Sequence, residues 1–368
     1  MAERKFRVVV VGAGISGLFM AEKLIRAGID FTIYEKGDDV GGTWRDNTYP
    51  GLYVDVMSRQ YEFPFQPNYD WSRKFAPALE IQAYIQKVAR DRGYGKFIRF
   101  NEEITEASFD NNQWHLKTAK GESDTADIFI CATGFLHKPI YPEIEGLDSF
   151  AGPAFHSACW DHDVEIPGKR WGIVGGGASG IQITEALAYQ ECDVTQFVRR
   201  AQWVHIRENP YSTWWQRLLL RLPFAYQIRQ WQLWKMIVET DHWRLKPGEQ
   251  RKAMEAEFLK SLDIIKDPEL KRKMTPEFHL GCTRIPKSDQ NYYAAVQQSN
   301  VHIERTNIAR IHPDGVELED GRHLQLDALV YATGFDAHAY MRPMKVTGLD
   351  GVTVDEIWQD KVYSYRGV

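Results

Sequence analysis

Two glycine-rich runs carry the first chemistry in this chain, Gly12-Ala13-Gly14-Ile15-Ser16-Gly17 and Gly175-Gly176-Gly177-Ala178-Ser179-Gly180. Glycines at this spacing let a backbone turn tightly against a pyrophosphate, and a following helix aims its unpaired N-terminal amides at the same phosphates. Glu35, with Lys36 beside it, lies about 20 residues beyond the first run, where a carboxylate accepts hydrogen bonds from ribose hydroxyls. At the equivalent place after the second run stand Arg199 and Arg200. A carboxylate there would repel a 2′-phosphate, whereas guanidinium groups bind one through charge-assisted contacts. The first turn is therefore expected to take FAD and the second NADPH, a pairing suited to hydride transfer.

The elements that must position these turns are legible around them. Residues 6–11 form a continuous apolar strand, as in a parallel sheet covered on both faces. A helix is expected over 15–27 and a strand over 30–34, ending at Glu35. The second turn repeats the layout, with a strand at 171–174, a helix through 181–189 and a strand at 194–198. Arg4 and Lys5 ahead of an apolar run superficially resemble a signal peptide, but the run is short and leads straight into the glycines. The fold class is α/β with two Rossmann-like dinucleotide-binding domains and a helical insertion.

At 368 residues, the chain can bury the core of two or three lobes. Its net charge of −5 argues against nucleic acid as a partner, because phosphate neutralisation wants a basic surface. Cys131, Cys159, Cys192 and Cys282 show no metal-ligand spacing, so no metal site and a reducing, cytoplasmic setting are expected. No stretch approaches the ~20 apolar residues that span a bilayer.

Further motifs resemble the flavin-containing monooxygenases, specifically the type I Baeyer–Villiger monooxygenases. Phe150, Gly152, His156, Trp160 and Asp161 match that family's fingerprint at each specified position. Gly41-Gly42-Thr43-Trp44 is similar to its flavin-contacting segment, and Tyr49 to Asp55, followed by Ser58 and Tyr61, to its next block. Ala132-Thr133-Gly134-Phe135 and Ala332-Thr333-Gly334-Phe335 resemble the crossovers between its lobes. The resemblance implies a discontinuous FAD domain (1–140 and 331–368), an NADPH domain (141–204 and 276–330) and a helical insertion (205–275).

The resemblance also implies a reaction. NADPH reduces the flavin, O2 adds at its C4a atom, and the peroxide attacks a ketone to give an ester or lactone. Arg284, in a segment similar to the active-site arginine block, is the expected fixed positive charge, with Asp55 orienting it. Thr283 stands where many relatives carry a phosphate-holding lysine. The fingerprint is expected at the hinge between lobes, or as plain structure around a satisfied His156. Relatives continue past the position of Val368 with an aromatic strand and a Gly-Pro-Asn turn against the flavin, so less complete cover of the isoalloxazine is expected here. An N- or S-oxidising enzyme and an uncoupled or silent flavin-fold protein stay open as alternatives.

Between the second turn and Arg284 the α/β rhythm stops. Trp214, Trp215, Leu218, Leu219 and Leu222 recur at helical spacing up to Pro223, and Phe224, Ile228, Trp231, Trp234 and Val238 make a second stripe. A third helix is expected over 247–260. Such stripes read first as core-facing. The resemblance makes this lobe a cap on the substrate pocket, and Arg217, Arg221, Arg229 and Lys235 also permit peripheral membrane contact.

Overall fold

A computed structural model describes residues 6–222, 224–244, 248–289, 292–359 and 361–364. Arg4, Lys5, Pro223, Pro247, Gln290, Asn291, Tyr365, Arg366 and Gly367 lie outside the described residues. The chain divides into two compact units. One holds residues 1–46, 81–139 and 335–368, and the other holds 47–80 and 140–334.

In the first unit, a four-stranded parallel sheet has Arg7–Val11 at its centre, between Asp30–Tyr34 and Ile128–Cys131. Val8, Val9 and Val10 are essentially inaccessible. The continuous apolar run thus reflects burial on both faces. The helix Ile15–Ala27 follows and ends at Gly28, whose left-handed φ of 66° suits a C-terminal glycine. A second sheet pairs Ile104–Asp110, Gln113–Thr118, Ser123–Ala126 and Lys345–Thr347 over a core that includes Val9, Tyr34 and Leu116.

The second unit repeats the plan. Arg170–Val174 lies between Asp193–Phe197 and Ala328–Tyr331 in a five-stranded parallel sheet, and Ala178–Leu187 is the helix after the second glycine run. Its core is aromatic: Trp160 stacks on Trp171 with centroids 5.6 Å apart, and Phe155 meets Trp160 edge-on.

The insertion is helical, with Trp214–Leu219, Ala225–Arg244 and Glu249–Ser261. The core-facing reading of its stripes is overturned. Trp214 is 76% exposed, Phe224 73% and Trp234 62%, and Leu218, Ile228, Trp231 and Val238 are exposed with them. The long helix instead turns Tyr226, Gln230, Leu233 and Ile237 inward, a second set at the same spacing. The polar half of that set explains the choice: Tyr226 donates to Glu62 at 2.6 Å, and Gln230 donates to Tyr226 at 2.7 Å. Burying the tryptophan stripe would leave the Glu62 carboxylate without these donors.

Candidate functional site

The first glycine run is built by close contact. At Gly12 (φ +106°) a Cβ would lie 2.5 Å from the carbonyl oxygen of Ala132, and at Gly17 a Cβ would lie 1.9 Å from that of Gly12. Only glycine lets the turn sit against the Ala132-Thr133-Gly134 strand end and the helix against the turn. The helix Ile15–Ala27 begins at Gly14 with no capping side chain and no acidic residue in its first turn. Its first amides are left for an external acceptor.

These features open on a cavity of about 300 Å³. Gly12, Gly14, Ser16, Lys36, Gly42 and Thr43 line it, as do Trp44, Thr133 and Gly134. Glu35 also lines it but is already engaged, accepting from the amides of Ala13 (2.7 Å) and Gly37 (2.8 Å) and from Arg45 (2.9 Å). A carboxylate accepts about four hydrogen bonds, so one position remains for a ribose hydroxyl. Arg45 carried no sequence signal; its side chain fills the space above Gly37, where a Cβ would lie 2.0 Å from Nη1.

The second run has the same construction. A Cβ on Gly175 (φ +135°) would lie 2.3 Å from the Ala332 carbonyl oxygen, and one on Gly180 would lie 2.2 Å from that of Gly175. The helix Ala178–Leu187 also begins at an uncapped glycine, Gly177, with no acid in its first turn. Ser179 does not face this turn as a free hydroxyl, since it donates to Tyr49 at 3.1 Å. Arg199 and Arg200 are exposed at the end of the next strand and form no ion pair among the described residues. Both nucleotide cradles therefore fit a dinucleotide on steric and electrostatic grounds.

The two Ala-Thr-Gly strand ends match in detail. Thr133 donates to Tyr340 (3.1 Å) and Thr333 to Ile140 (2.5 Å), and Gly134 and Gly334 both have left-handed φ. His156 of the fingerprint is fully buried and bonds through Nε2 to the Gly334 carbonyl at 3.0 Å, while Nδ1 accepts from Ala158. The ring is thus the neutral Nε2–H tautomer, consistent with burial lowering its pKa. Gly152 is held by the Asp327 carbonyl, 2.7 Å from where a Cβ would stand. Trp160 is core, while Asp161 caps the turn at Asp163 and is exposed.

Asp55 and Arg284 both belong to the second unit. Burial pushes the Asp55 carboxyl above the usual range, opposed by the charges of Arg207 and Lys287, the Lys287 amide and, last, Arg284. Its Oδ1 is buried and without a hydrogen-bond partner among the described residues. Tyr61, pushed up to about 12 by burial, feels the Asp55 charge. Arg284 is exposed. The dominant charge on Asp55 is thus Arg207, which sequence reasoning passed over. Arg207 donates to the carbonyls of Asp55 (3.0 Å) and Val54 (2.7 Å) and pairs with Asp289. No motif in the sequence marks it.

The arrangement defines a flavoprotein class: two Rossmann units, each with a glycine-rich phosphate turn packed against an Ala-Thr-Gly strand end. The flavin-binding monooxygenase-like family model matches residues 5–243. An uncharacterised monooxygenase of Mycobacterium tuberculosis is 41% identical over 363 residues, 98% of this chain and 73% of its own. A Baeyer–Villiger monooxygenase of Streptomyces coelicolor is 37% identical over 366 residues, 98% of this chain and 70% of its own. The solved structure of OTEMO in complex with FAD and NADP superposes with a TM-score of 0.88 at 29% identity, over 98% of this chain and 78% of that one. The chain belongs to the flavin-binding monooxygenase-like family, in its type I Baeyer–Villiger branch.

Proposed function

We propose that this chain is an FAD- and NADPH-dependent monooxygenase that uses O2 to insert an oxygen atom next to the carbonyl of a bulky or aromatic ketone. The observation that carries the reading is the repetition of one cradle, Gly12 against Ala132 and Gly175 against Ala332. Two such cradles in one chain call for two dinucleotides. The Streptomyces relative named as a Baeyer–Villiger monooxygenase and the FAD- and NADP-bound neighbour support the choice of chemistry.

When bound, the flavin supplies hydride acceptance and oxygen activation, and the protein supplies position and field. The first turn, with Glu35, Lys36, Gly42, Thr43, Trp44 and Thr133, would hold FAD. The second, with Arg199 and Arg200 at the adenosine 2′-phosphate, would hold NADPH. Arg284 would place a fixed positive charge beside the reacting carbonyl, where negative charge develops on oxygen. Asp55, with one oxygen lacking a partner, would receive a donor from Arg284 or the nicotinamide amide. His156, bonded to Gly334, would act as a hinge element that couples the crossover to the fingerprint. The four cysteines are free, which supports the cytoplasmic setting. No described helix is long and apolar enough to cross a membrane.

The test is incubation of the purified chain with FAD, NADPH and a panel of ketones alongside a sulfide, with ester, sulfoxide and hydrogen peroxide measured together. Ester formation coupled to NADPH use is expected. Sulfoxide without ester would favour the heteroatom-oxidising reading, and peroxide alone would overturn both.

A further inference from the structure

A cavity of about 770 Å³ lies within the second unit between the segments 57–74 and 210–236, and none of its lining residues comes from that unit's glycine run. Among the described residues five cations line it, Arg59, Arg73, Lys74, Arg217 and Arg229, and no aspartate or glutamate does. The rest of its wall is largely apolar, with Trp71, Trp215, Leu220, Leu233 and Met236. The nearby carboxylates take their hydrogen bonds elsewhere: Glu62 accepts from Trp71 and Tyr226 and reaches Arg59 only through its charge, and Asp70 pairs with the exposed Arg221.

Two of the cations, Arg59 and Arg217, are incompletely satisfied by the protein. Arg59 Nη1 and Arg217 Nε are buried and have no hydrogen-bond partner among the described residues. Arg73 only stacks on Tyr211, 3.9 Å from the ring centre. Arg59 is held below its usual pKa by burial, with the Glu62 carboxylate opposing that shift and Arg229 adding to it, and Lys74 by burial, Arg229 and Arg207. Buried N–H groups without acceptors and crowded like charges both raise the free energy of an empty cavity. An anion entering it would relieve both, and its volume lies in the range of small-molecule sites.

We propose that this cavity binds an amphipathic anion, a molecule with an apolar body and one carboxylate or phosphate head group held by Arg59 and Arg217. The binding needs neither flavin nor nicotinamide and stands apart from the oxygenation reading. A free fatty acid and a membrane lipid share this chemistry.

Decanoate is the probe, titrated into the purified chain by calorimetry, with Trp71 and Trp215 reporting the occupied cavity by fluorescence. Saturable 1:1 binding is expected, with decanol and decylamine at least about tenfold weaker, as befits a charge-assisted contact. Arg59→Gln and Arg217→Gln should each weaken decanoate by about tenfold or more while leaving decanol unchanged. Arg59→Lys should recover part of the loss. Thermal melting of each variant separates lost binding from lost fold, and Arg217→Gln, on a short surface helix, serves if Arg59→Gln does not fold. Equal affinity for decanoate and decanol, or undiminished decanoate binding by folded variants of both arginines, overturns the proposal. Cosedimentation with phosphatidylglycerol vesicles in the absence of saturable decanoate binding also overturns it, because that places the contact on the exposed tryptophan face. Decanoate binding that vesicles compete away identifies a lipid source, and binding that they leave unchanged identifies a free anion; either supports the cavity.

Discussion

Arg207 and Asp289 form an ion pair at 2.5 Å with side chains only 5% and 6% exposed. The guanidinium also spans to the carbonyls of Val54 and Asp55 and lies 3.5 Å over the Phe75 ring. One side chain thus ties the Asp55 segment to the segment that carries Arg284. Arg207→Ala should destabilise the chain by about 3–5 kcal/mol, because it strands a buried carboxylate. Urea unfolding measures this; a loss below about 1 kcal/mol would show that the pair is not holding the segment.

The glycine contacts separate folding from ligand binding. Gly17→Ala puts a methyl group 1.9 Å from the Gly12 carbonyl and should cost ~3 kcal/mol or more. Gly14 has only Gly42 near its missing Cβ, at 3.7 Å. Gly14→Ala should fold normally yet retain less flavin. Equal melting temperatures for the two variants would refute this division.

Arg199 and Arg200 predict cofactor choice. Replacing both with alanine should raise KM for NADPH about tenfold or more and leave KM for NADH nearly unchanged, since only NADPH carries the 2′-phosphate. Equal changes for both would remove these residues from phosphate recognition.

Arg284→Ala should preserve flavin reduction by NADPH in stopped-flow absorbance and lower ester formation by about 100-fold or more, the loss typical of an oxyanion-stabilising group. Asp55→Asn should lower ester formation less. Undiminished ester yield from Arg284→Ala would refute its role.

Glu185 predicts a pH response. Buried and bonded to Ser288 and Tyr53, it is raised to about 7. A raised carboxyl pKa means that the folded state holds the proton more tightly. The contribution is therefore fully present below the ordinary value of 4.5 and is lost as pH rises through about 7. Unfolding free energy should fall by about 3 kcal/mol between these limits, and Glu185→Gln should abolish that fall. Parallel pH profiles for the two proteins would show that Glu185 does not titrate in this range.

The two Rossmann turns, their strands, helices and Glu35 were legible because their requirements are local. A glycine that must accept a carbonyl at contact distance admits no other residue, and buried parallel strands leave unbroken apolar runs. Likewise the fingerprint and the Ala-Thr-Gly ends were visible as short motifs. The sequence alone also marked the stripes of the helical insertion but not which stripe turns inward. Glu62, more than 150 residues away along the chain, selected Tyr226 and Gln230 over the tryptophans. Tertiary structure alone decided that Arg207 dominates the field at Asp55, that Arg45 occupies the Glu35 carboxylate, and that five cations surround one cavity. Each of these depends on where the folded chain places its charges, from the ten residues between Glu35 and Arg45 to the 152 between Asp55 and Arg207, and Coulomb energy follows distance in space, which the order of residues does not encode.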